Sequence, residues 1–102
     1  MDSEQLAVEW SAVPHPGETV MEYLDFNGWS QRDLARRTGL TPKTISEICN
    51  GKAPISPATA IAFERALERP AHFWLNLQRR FDEAMARRHA ISQLAGWDDW
   101  QR

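Results

Sequence analysis

The chain has 102 residues, of which 42% are hydrophobic and 25% are charged, and its formal net charge is −2. These values fit one small globular domain, which at this size often gains stability by dimerising. A membrane protein is excluded, since no stretch approaches the ~20 consecutive apolar residues of a span. With the single cysteine Cys49 and no basic or apolar leader, we expect a reduced, cytoplasmic protein.

The chain begins with an acidic segment and continues into a first helix. Residues 1–13 alternate weakly between apolar and polar side chains, which is typical of irregular backbone or a short strand. Pro16-Gly17-Glu18 then opens a helix that ends at Asn27-Gly28. Its predicted core positions, spaced three and four residues apart, are Val20, Met21, Leu24 and Phe26.

Residues 30–52 predict two short helices joined by a glycine turn. Ser30 is a strong N-cap for the first, which carries Leu34 and Ala35 on one face. Gly39 stands where a left-handed residue ends a helix, and it is followed by a cap with proline at the first helical position, Thr41-Pro42.

The second of these helices begins at Pro42 and ends at Asn50-Gly51. Ile45 and Ile48 face inward at helical spacing, which leaves polar side chains outside. Two helices packed across a three- to four-residue turn make a helix-turn-helix, the layout of a DNA-reading motif. The same geometry also occurs in proteins that never touch DNA.

Two further helices complete an all-α, five-helix domain over residues 14–89. Ser56-Pro57 starts one that ends before Pro70, and the last runs from about Ala71 to about His89. Their predicted apolar positions are Ala60, Ile61, Phe63, Ala66, Leu67, Phe73, Trp74, Leu77, Phe81, Ala84 and Met85.

A tail over residues 90–102 has no helix stop, so it is either a helical end or the start of an extension. Ile91, Leu94, Trp97 and Trp100 form an apolar row along it. The row is either a contact surface for another protein or a stripe that folds back on the domain core.

The acidic balance argues at first against a nucleic-acid partner, but the charges are unevenly distributed. Residues 1–27 hold six acids and no Lys or Arg, whereas residues 28–54 hold five basic residues and two acids. The basic excess falls on the motif that would meet phosphate, and the acidic segment should face away from DNA or meet another partner.

A recognition helix in the major groove presents its N-terminal side chains to base edges. The candidate base contacts are therefore Pro42, Lys43, Ser46 and Glu47. Lys43 can donate to guanine and Glu47 can accept from cytosine, whereas Ser46 can do either and Pro42 offers only an apolar contact.

The run Gln31, Leu34, Ala35, Gly39, Ile45, Ile48, Asn50-Gly51-Lys52 resembles the xenobiotic-response-element family of helix-turn-helix proteins, which includes Cro and lambda-repressor-like domains. The resemblance implies phosphate contacts at Gln31, Thr41, Thr44, Asn50 and Lys52. Where relatives often carry an amide or other polar side chain, Pro42 stands here.

Two more segments are similar to signatures of the HigA-like antitoxin branch, namely His15-Pro16-Gly17-Glu18 and the stretch Phe73-Trp74-Leu75-Asn76-Leu77-Gln78. The resemblance implies a dimeric repressor that binds double-stranded DNA at its own promoter and neutralises a toxin protein, commonly an mRNA-cleaving enzyme.

The sequence as a whole thus predicts a sequence-specific repressor of the antitoxin type. The alternative is a protein-interaction module that sequesters a toxin with little DNA binding, and a third class is an oligomeric scaffold. Catalysis, a metal or a cofactor is not expected, because the three histidines are scattered and no catalytic or phosphate-binding motif occurs.

Overall fold

The computed structural model describes residues 12–101, with side chains described as far as residue 94. Five helices and no strand occupy this range, which confirms the all-α prediction. The helices are α1 (Pro16–Asn27), α2 (Gln31–Thr38), α3 (Pro42–Cys49), α4 (Pro57–Leu67) and α5 (Ala71–Gln101). Irregular backbone or a short strand is predicted for residues 1–13, and residues 1–11 of these lie outside the described range.

Local capping signals place the helix ends where the sequence predicts them. Ser30, Thr41 and Ser56 each have extended backbone, and each hydroxyl accepts a hydrogen bond from the N–H three residues later, at 3.1, 3.1 and 3.2 Å. Gly28 and Gly39 follow α1 and α2 in the left-handed conformation, at φ 69° and 76°. A side chain at those positions would strain the backbone, so glycine ends both helices.

The core of the unit His15–Gln78 is built around Trp74. Its indole is fully buried and makes edge-to-face contacts with Tyr23, Phe63 and Phe73 at centroid distances of 5.3, 5.4 and 4.9 Å. Such pairs add about 0.5–1.5 kcal/mol each beyond the burial of apolar area. The aliphatic side chains buried in the same core are Val20, Leu24, Leu34, Ala35, Ile45, Ile48, Ile55, Ala60 and Leu67.

Three of the predicted apolar positions are wrong as core positions. Phe26 is 89% exposed, Met21 is 37% exposed and Ile61 is 49% exposed. On α1 the buried face is set by Val20 and Leu24, and a residue two positions after Leu24 points about 200° around the helix. Phe26 therefore faces solvent, because its two-residue step from Leu24 takes it off the buried face.

Helix α5 is longer than predicted, since it continues to Gln101 instead of ending near His89. No proline follows His89, and the single glycine, Gly96, costs only about 1 kcal/mol in a helix interior. Residues 79–101 belong to a second compact unit, in which Arg87 donates to the Glu83 carboxylate at 3.0 Å. Within the predicted tail row Leu94 is exposed, while the Trp97 and Trp100 side chains lie outside the described residues.

Candidate nucleic-acid interface

A reciprocal capping box fixes the first turn of α2. The Ser30 hydroxyl accepts from the Asp33 N–H at 3.1 Å, while the Asp33 carboxylate accepts from the Ser30 N–H at 2.8 Å. Hydrogen bonding of the Asp33 carboxylate to the Ser30 backbone N–H, and secondly to the Ser30 side chain, holds the pKa of Asp33 below its usual value, and the Arg36 guanidinium that pairs with it lowers it further. The start of the helix-turn-helix is therefore fixed by hydrogen bonds between residues only three positions apart.

The turn between α2 and α3 is closed by one side chain as well as by glycine. The Thr38 hydroxyl donates to the Leu34 carbonyl at 2.7 Å and accepts from the Leu40 N–H at 3.3 Å. Gly39, which lies between them, donates its N–H to the Ala35 carbonyl at 2.9 Å. These hydrogen bonds close the end of α2 and define the chain on both sides of Gly39.

Helix α3 is anchored by one face only. Ile45, Ile48 and Cys49 are buried, and Ala35 of α2 is small enough for the two helices to pack closely. Burial also raises the pKa of the Cys49 thiol. This confirms the predicted inward positions and leaves the other face of α3 to carry out any contact with a ligand.

The four candidate base contacts all lie on the outer face of α3, where the structure places them together. Lys43 has an 87% exposed side chain whose Nζ lies 3.9 Å from Oε1 of Glu47, one helical turn on. Pro42 is exposed, and Ser46 is partly exposed and accepts from Nδ2 of Asn50 at 3.3 Å. The face therefore offers a cation, a carboxylate, a hydroxyl and an apolar ring within two turns.

The candidate phosphate contacts flank this face. The Thr41 and Thr44 hydroxyls lie 2.9 Å apart at the start of α3, whereas Asn50 and Lys52 are exposed after its end. Gln31, at the start of α2, donates from Nε2 to the Met21 sulfur at 3.5 Å. Four of the five thus lie in the first turn of α3 or at its ends, and Gln31 lies at the start of α2.

Several of the basic side chains near the motif are engaged with their own chain. The Arg37 guanidinium lies 4.0 Å from the centroid of the Trp29 ring, and Arg36 pairs with Asp33. Arg32 and Lys52 are exposed. Sequence reasoning did not single out the stacking of Arg37 on Trp29, since an arginine eight residues after a tryptophan has no recognisable pattern.

The start of α1, with His15 before it, packs against the far end of α3, and sequence reasoning missed this role. A Cβ added to Gly17 would lie 2.1 Å from the Ile48 carbonyl oxygen, and one added to Gly51 would lie 3.0 Å from two atoms of the His15 ring. Both glycines are therefore needed for the close approach of α1 to the end of α3. The resemblance pointed to His15 and Gly17 as part of a signature, but only the packing shows what they do.

Neither a membrane span nor a metal site is found in the region that the structure describes. No helix there is long and apolar enough to cross a bilayer. The same region contains no group of three or more histidine, cysteine or acidic side chains that could hold a metal ion.

The fold and the exposed outer face of α3 are those of a helix-turn-helix protein. The chain belongs to the helix-turn-helix family, whose sequence model matches residues 20–74. A relative from Escherichia coli K12, the uncharacterized HTH-type transcriptional regulator YddM, is 36% identical over 73 residues, which are 72% of this chain and 78% of that protein. The predicted family is confirmed.

Solved structures narrow the resemblance to the predicted branch. An addiction module antidote protein of the HigA family from Coxiella burnetii superimposes with a TM-score of 0.76 at 29% identity, covering 82% of this chain and 92% of that one. The antitoxin HigA of Pseudomonas aeruginosa, solved with the higBA promoter, gives 0.75 at 31% identity and covers 80% and 90% of the two chains. The similarity to HigA-like antitoxins is therefore confirmed over most of the chain.

Proposed function

We propose that the protein is a sequence-specific DNA-binding repressor of the antitoxin type, which acts as a cytoplasmic homodimer and autoregulates a toxin-antitoxin operon. The observation that carries this proposal is the outer face of α3, which is polar and exposed while the opposite face is buried. The similar Pseudomonas aeruginosa antitoxin was solved with promoter DNA, which supports the same use of this fold.

In this proposal α3 lies in the major groove, and its outer face reads base edges. Lys43 donates to N7 and O6 of guanine, Glu47 accepts from the cytosine amino group, Ser46 serves either role and Pro42 contacts a thymine methyl. The Lys43–Glu47 pair does not oppose binding strongly, because an exposed pair at i,i+4 contributes only about 0.3–0.5 kcal/mol. Both side chains are free to turn toward bases at small cost.

Gln31, Thr41, Thr44, Asn50 and Lys52 contact phosphates in the same proposal and set the register of α3 without reading sequence. Lys52 is the one full charge among them, so it contributes most to the salt dependence of binding. In a homodimer two copies of α3 lie about one DNA turn apart, ~34 Å, which favours a palindromic operator.

The function proposed is binding without catalysis. Burial raises the pKa of the Cys49 thiol, which makes it a poor nucleophile, so the proposal gives Cys49 no chemical role.

A second function, in which the chain mainly sequesters a protein partner, is favoured by the exposed aromatic ring of Phe26 on the acidic helix α1. The two functions are compatible in one molecule. They differ in which substitutions matter, and this difference guides the experiments.

The DNA-binding proposal is tested by selecting bound duplexes from a random pool, followed by fluorescence anisotropy titration of the enriched site at two salt concentrations. Lys43→Ala is expected to shift preference at one base pair by ~1–3 kcal/mol, whereas Lys52→Ala should weaken all sequences alike and reduce the salt slope by about 1. Arg65→Ala, an exposed arginine on α4, is the matched control for the lost charge and should change neither quantity.

Enrichment of a palindrome, with these two different mutant responses, supports the proposed role of α3. If no duplex is enriched at low salt, or if Lys43→Ala and Arg65→Ala give the same small effect, the proposed role of α3 is wrong.

A further inference from the structure

Two side-chain pairs run along the outer face of α3, each joining residues one helical turn apart. Nζ of Lys43 lies 3.9 Å from Oε1 of Glu47, and Nδ2 of Asn50 donates to Oγ of Ser46 at 3.3 Å. Side chains four positions apart are neighbours on a helix, so both pairs follow from the helical period. The first pair joins two full charges. The second joins an amide to a hydroxyl, and it therefore has a direction: Asn50 donates and Ser46 accepts.

Asn50 is held in place by backbone hydrogen bonds before any ligand binds. Its own N–H donates to the Ser46 carbonyl at 3.0 Å, so backbone and side chain both bond to the same residue. Just beyond it, the Glu47 carbonyl accepts from the N–H groups of Lys52 and Ala53, at 2.8 and 3.1 Å. The amide is thus carried by a closed helix end, which keeps Nδ2 beside Ser46.

The hydrogen bond from Asn50 gives the Ser46 hydroxyl a preferred orientation. A serine hydroxyl has one hydrogen to donate and two lone pairs that accept. Asn50 occupies one lone pair, and repulsion between the two hydrogens turns the hydroxyl hydrogen of Ser46 away from the amide. Within the described residues this hydrogen has no acceptor on the protein. Accepting a hydrogen bond also polarises the O–H group and makes it a stronger donor.

We infer that Asn50 is a positioning residue, which sets Ser46 as a hydrogen-bond donor to a base edge. The inference rests on the proposed DNA-binding function, and it decides between the two roles that are open to Ser46 there. In the major groove guanine, adenine and thymine each present an acceptor, whereas cytosine presents only its N4 amino donor. Ser46 therefore selects against cytosine at the base that it faces.

The proposed phosphate contact of Asn50 is compatible with this role. The amide nitrogen carries two hydrogens, of which Ser46 takes one. A phosphate oxygen only accepts, so it is met by the second hydrogen on the same nitrogen. A phosphate bound in this way holds Nδ2, and not the amide oxygen, on the side of Ser46. Asn50 thereby links a contact that sets register to a contact that reads sequence.

Asn50→Asp tests the direction of the hydrogen bond, because an ionised carboxylate only accepts. The Ser46 hydroxyl then donates to the new carboxylate and leaves its oxygen to accept from a cytosine amino group. The readout is the ratio of affinities for duplexes that differ only at the base pair whose preference Ser46→Ala abolishes. Wild type should disfavour cytosine there by about 3- to 10-fold, the contribution of one neutral hydrogen bond, and Asn50→Asp should remove or reverse this ratio.

Three controls separate the change in preference from a loss of affinity. Gln31→Glu adds the same charge at another proposed phosphate contact, so it should weaken all duplexes alike and leave the ratio unchanged. Asn50→Ala removes the amide without adding charge and frees the hydroxyl to rotate, so the ratio should fall to about twofold or less. In the Ser46→Ala background, Asn50→Asp should shift nothing, since the hydroxyl that transmits the effect is gone. Thermal melts should show every variant folded, because none of the three side chains is buried.

The inference is overturned if wild type prefers cytosine at that base pair, or if Ser46→Ala alters no base preference. It is also overturned if Asn50→Asp keeps the wild-type ratio, as Gln31→Glu should, or if it shifts the ratio equally without the Ser46 hydroxyl, since the new carboxylate would then read the base itself. Each of these results leaves the DNA-binding function standing when Lys43→Ala still shifts preference. Failure to enrich any duplex removes both proposals together, so the two kinds of failure are distinguishable.

Discussion

Gly17→Ala tests whether the start of α1 sets the position of the recognition helix. The added methyl would lie 2.1 Å from the Ile48 carbonyl oxygen and 2.8 Å from that of Cys49, whereas ordinary contact begins at 3.4 Å. The helices must therefore separate by about 1.3 Å at this point. The obstacle is backbone on both counts, so no rotation of a side chain can relieve it.

The expected loss of stability is about 2–3 kcal/mol, the upper part of the range for overpacking, after allowing for the better helix propensity of alanine. For a domain of this size such a loss lowers the melting temperature by roughly 10–20 °C. Because the displaced atoms belong to the end of α3, just before Asn50 and Lys52, affinity for the operator should also fall in variants that remain folded.

Differential scanning calorimetry measures the first effect and anisotropy titration below the melting temperature measures the second. Glu22→Ala, an exposed position in the middle of the same helix, is the control and should change the melting temperature by no more than about 2 °C. A Gly17→Ala variant that melts with the control would show that α1 and the end of α3 are not in the close contact described.

Three further predictions concern local features. The pKa of Asp33 is lowered, so the contribution of Asp33 to stability is present above the usual aspartate pKa and is lost as pH falls through the lowered folded value. The urea midpoints of wild type and Asp33→Asn should therefore differ at pH 7 and converge in acid. A gap that stays constant with pH would contradict the capping role. Glu68 caps the end of α4 in the left-handed conformation, at φ 57°, which strains any residue other than glycine. Glu68→Gly should therefore raise the free energy of unfolding, measured by urea titration, by about 1 kcal/mol. A decrease would show that the Glu68 side chain stabilises the fold. The buried Cys49 thiol should react slowly with a disulfide reagent in the native protein and rapidly in urea, whereas equal rates would mean that it is accessible.

The ends of α1 to α4 and the motif could be predicted because the signals for them are local, whereas the end of α5 was not. Ser30 caps α2 through residues three positions away, and Thr41-Pro42 starts α3 in the same way. Gly39 turns the chain because of its own backbone freedom. Hydrogen bonds of this kind depend on a few neighbouring residues, so a sequence contains all the information that they require.

The candidate base contacts were predictable for a related reason. Once Ile45 and Ile48 are assigned to the buried side of α3, the helical period leaves Lys43, Ser46 and Glu47 on the other side. That assignment needed only spacing, and the exposure of these side chains agrees with it. Their contacts with DNA remain predictions for the titrations above.

Only the tertiary structure decided which apolar residues enter the core and which pairs from distant parts of the chain meet. Phe26 and Ile61 were predicted as apolar positions of their helices, yet they face solvent, because packing buries Leu24 and Phe63, each two positions away and so on another side of the helix. The contact of Gly17 with the carbonyl of Ile48 joins residues 31 positions apart. Local patterns set the helices and their caps; the angles at which the helices pack arise from the sum of many such distant contacts, which no single stretch of sequence contains.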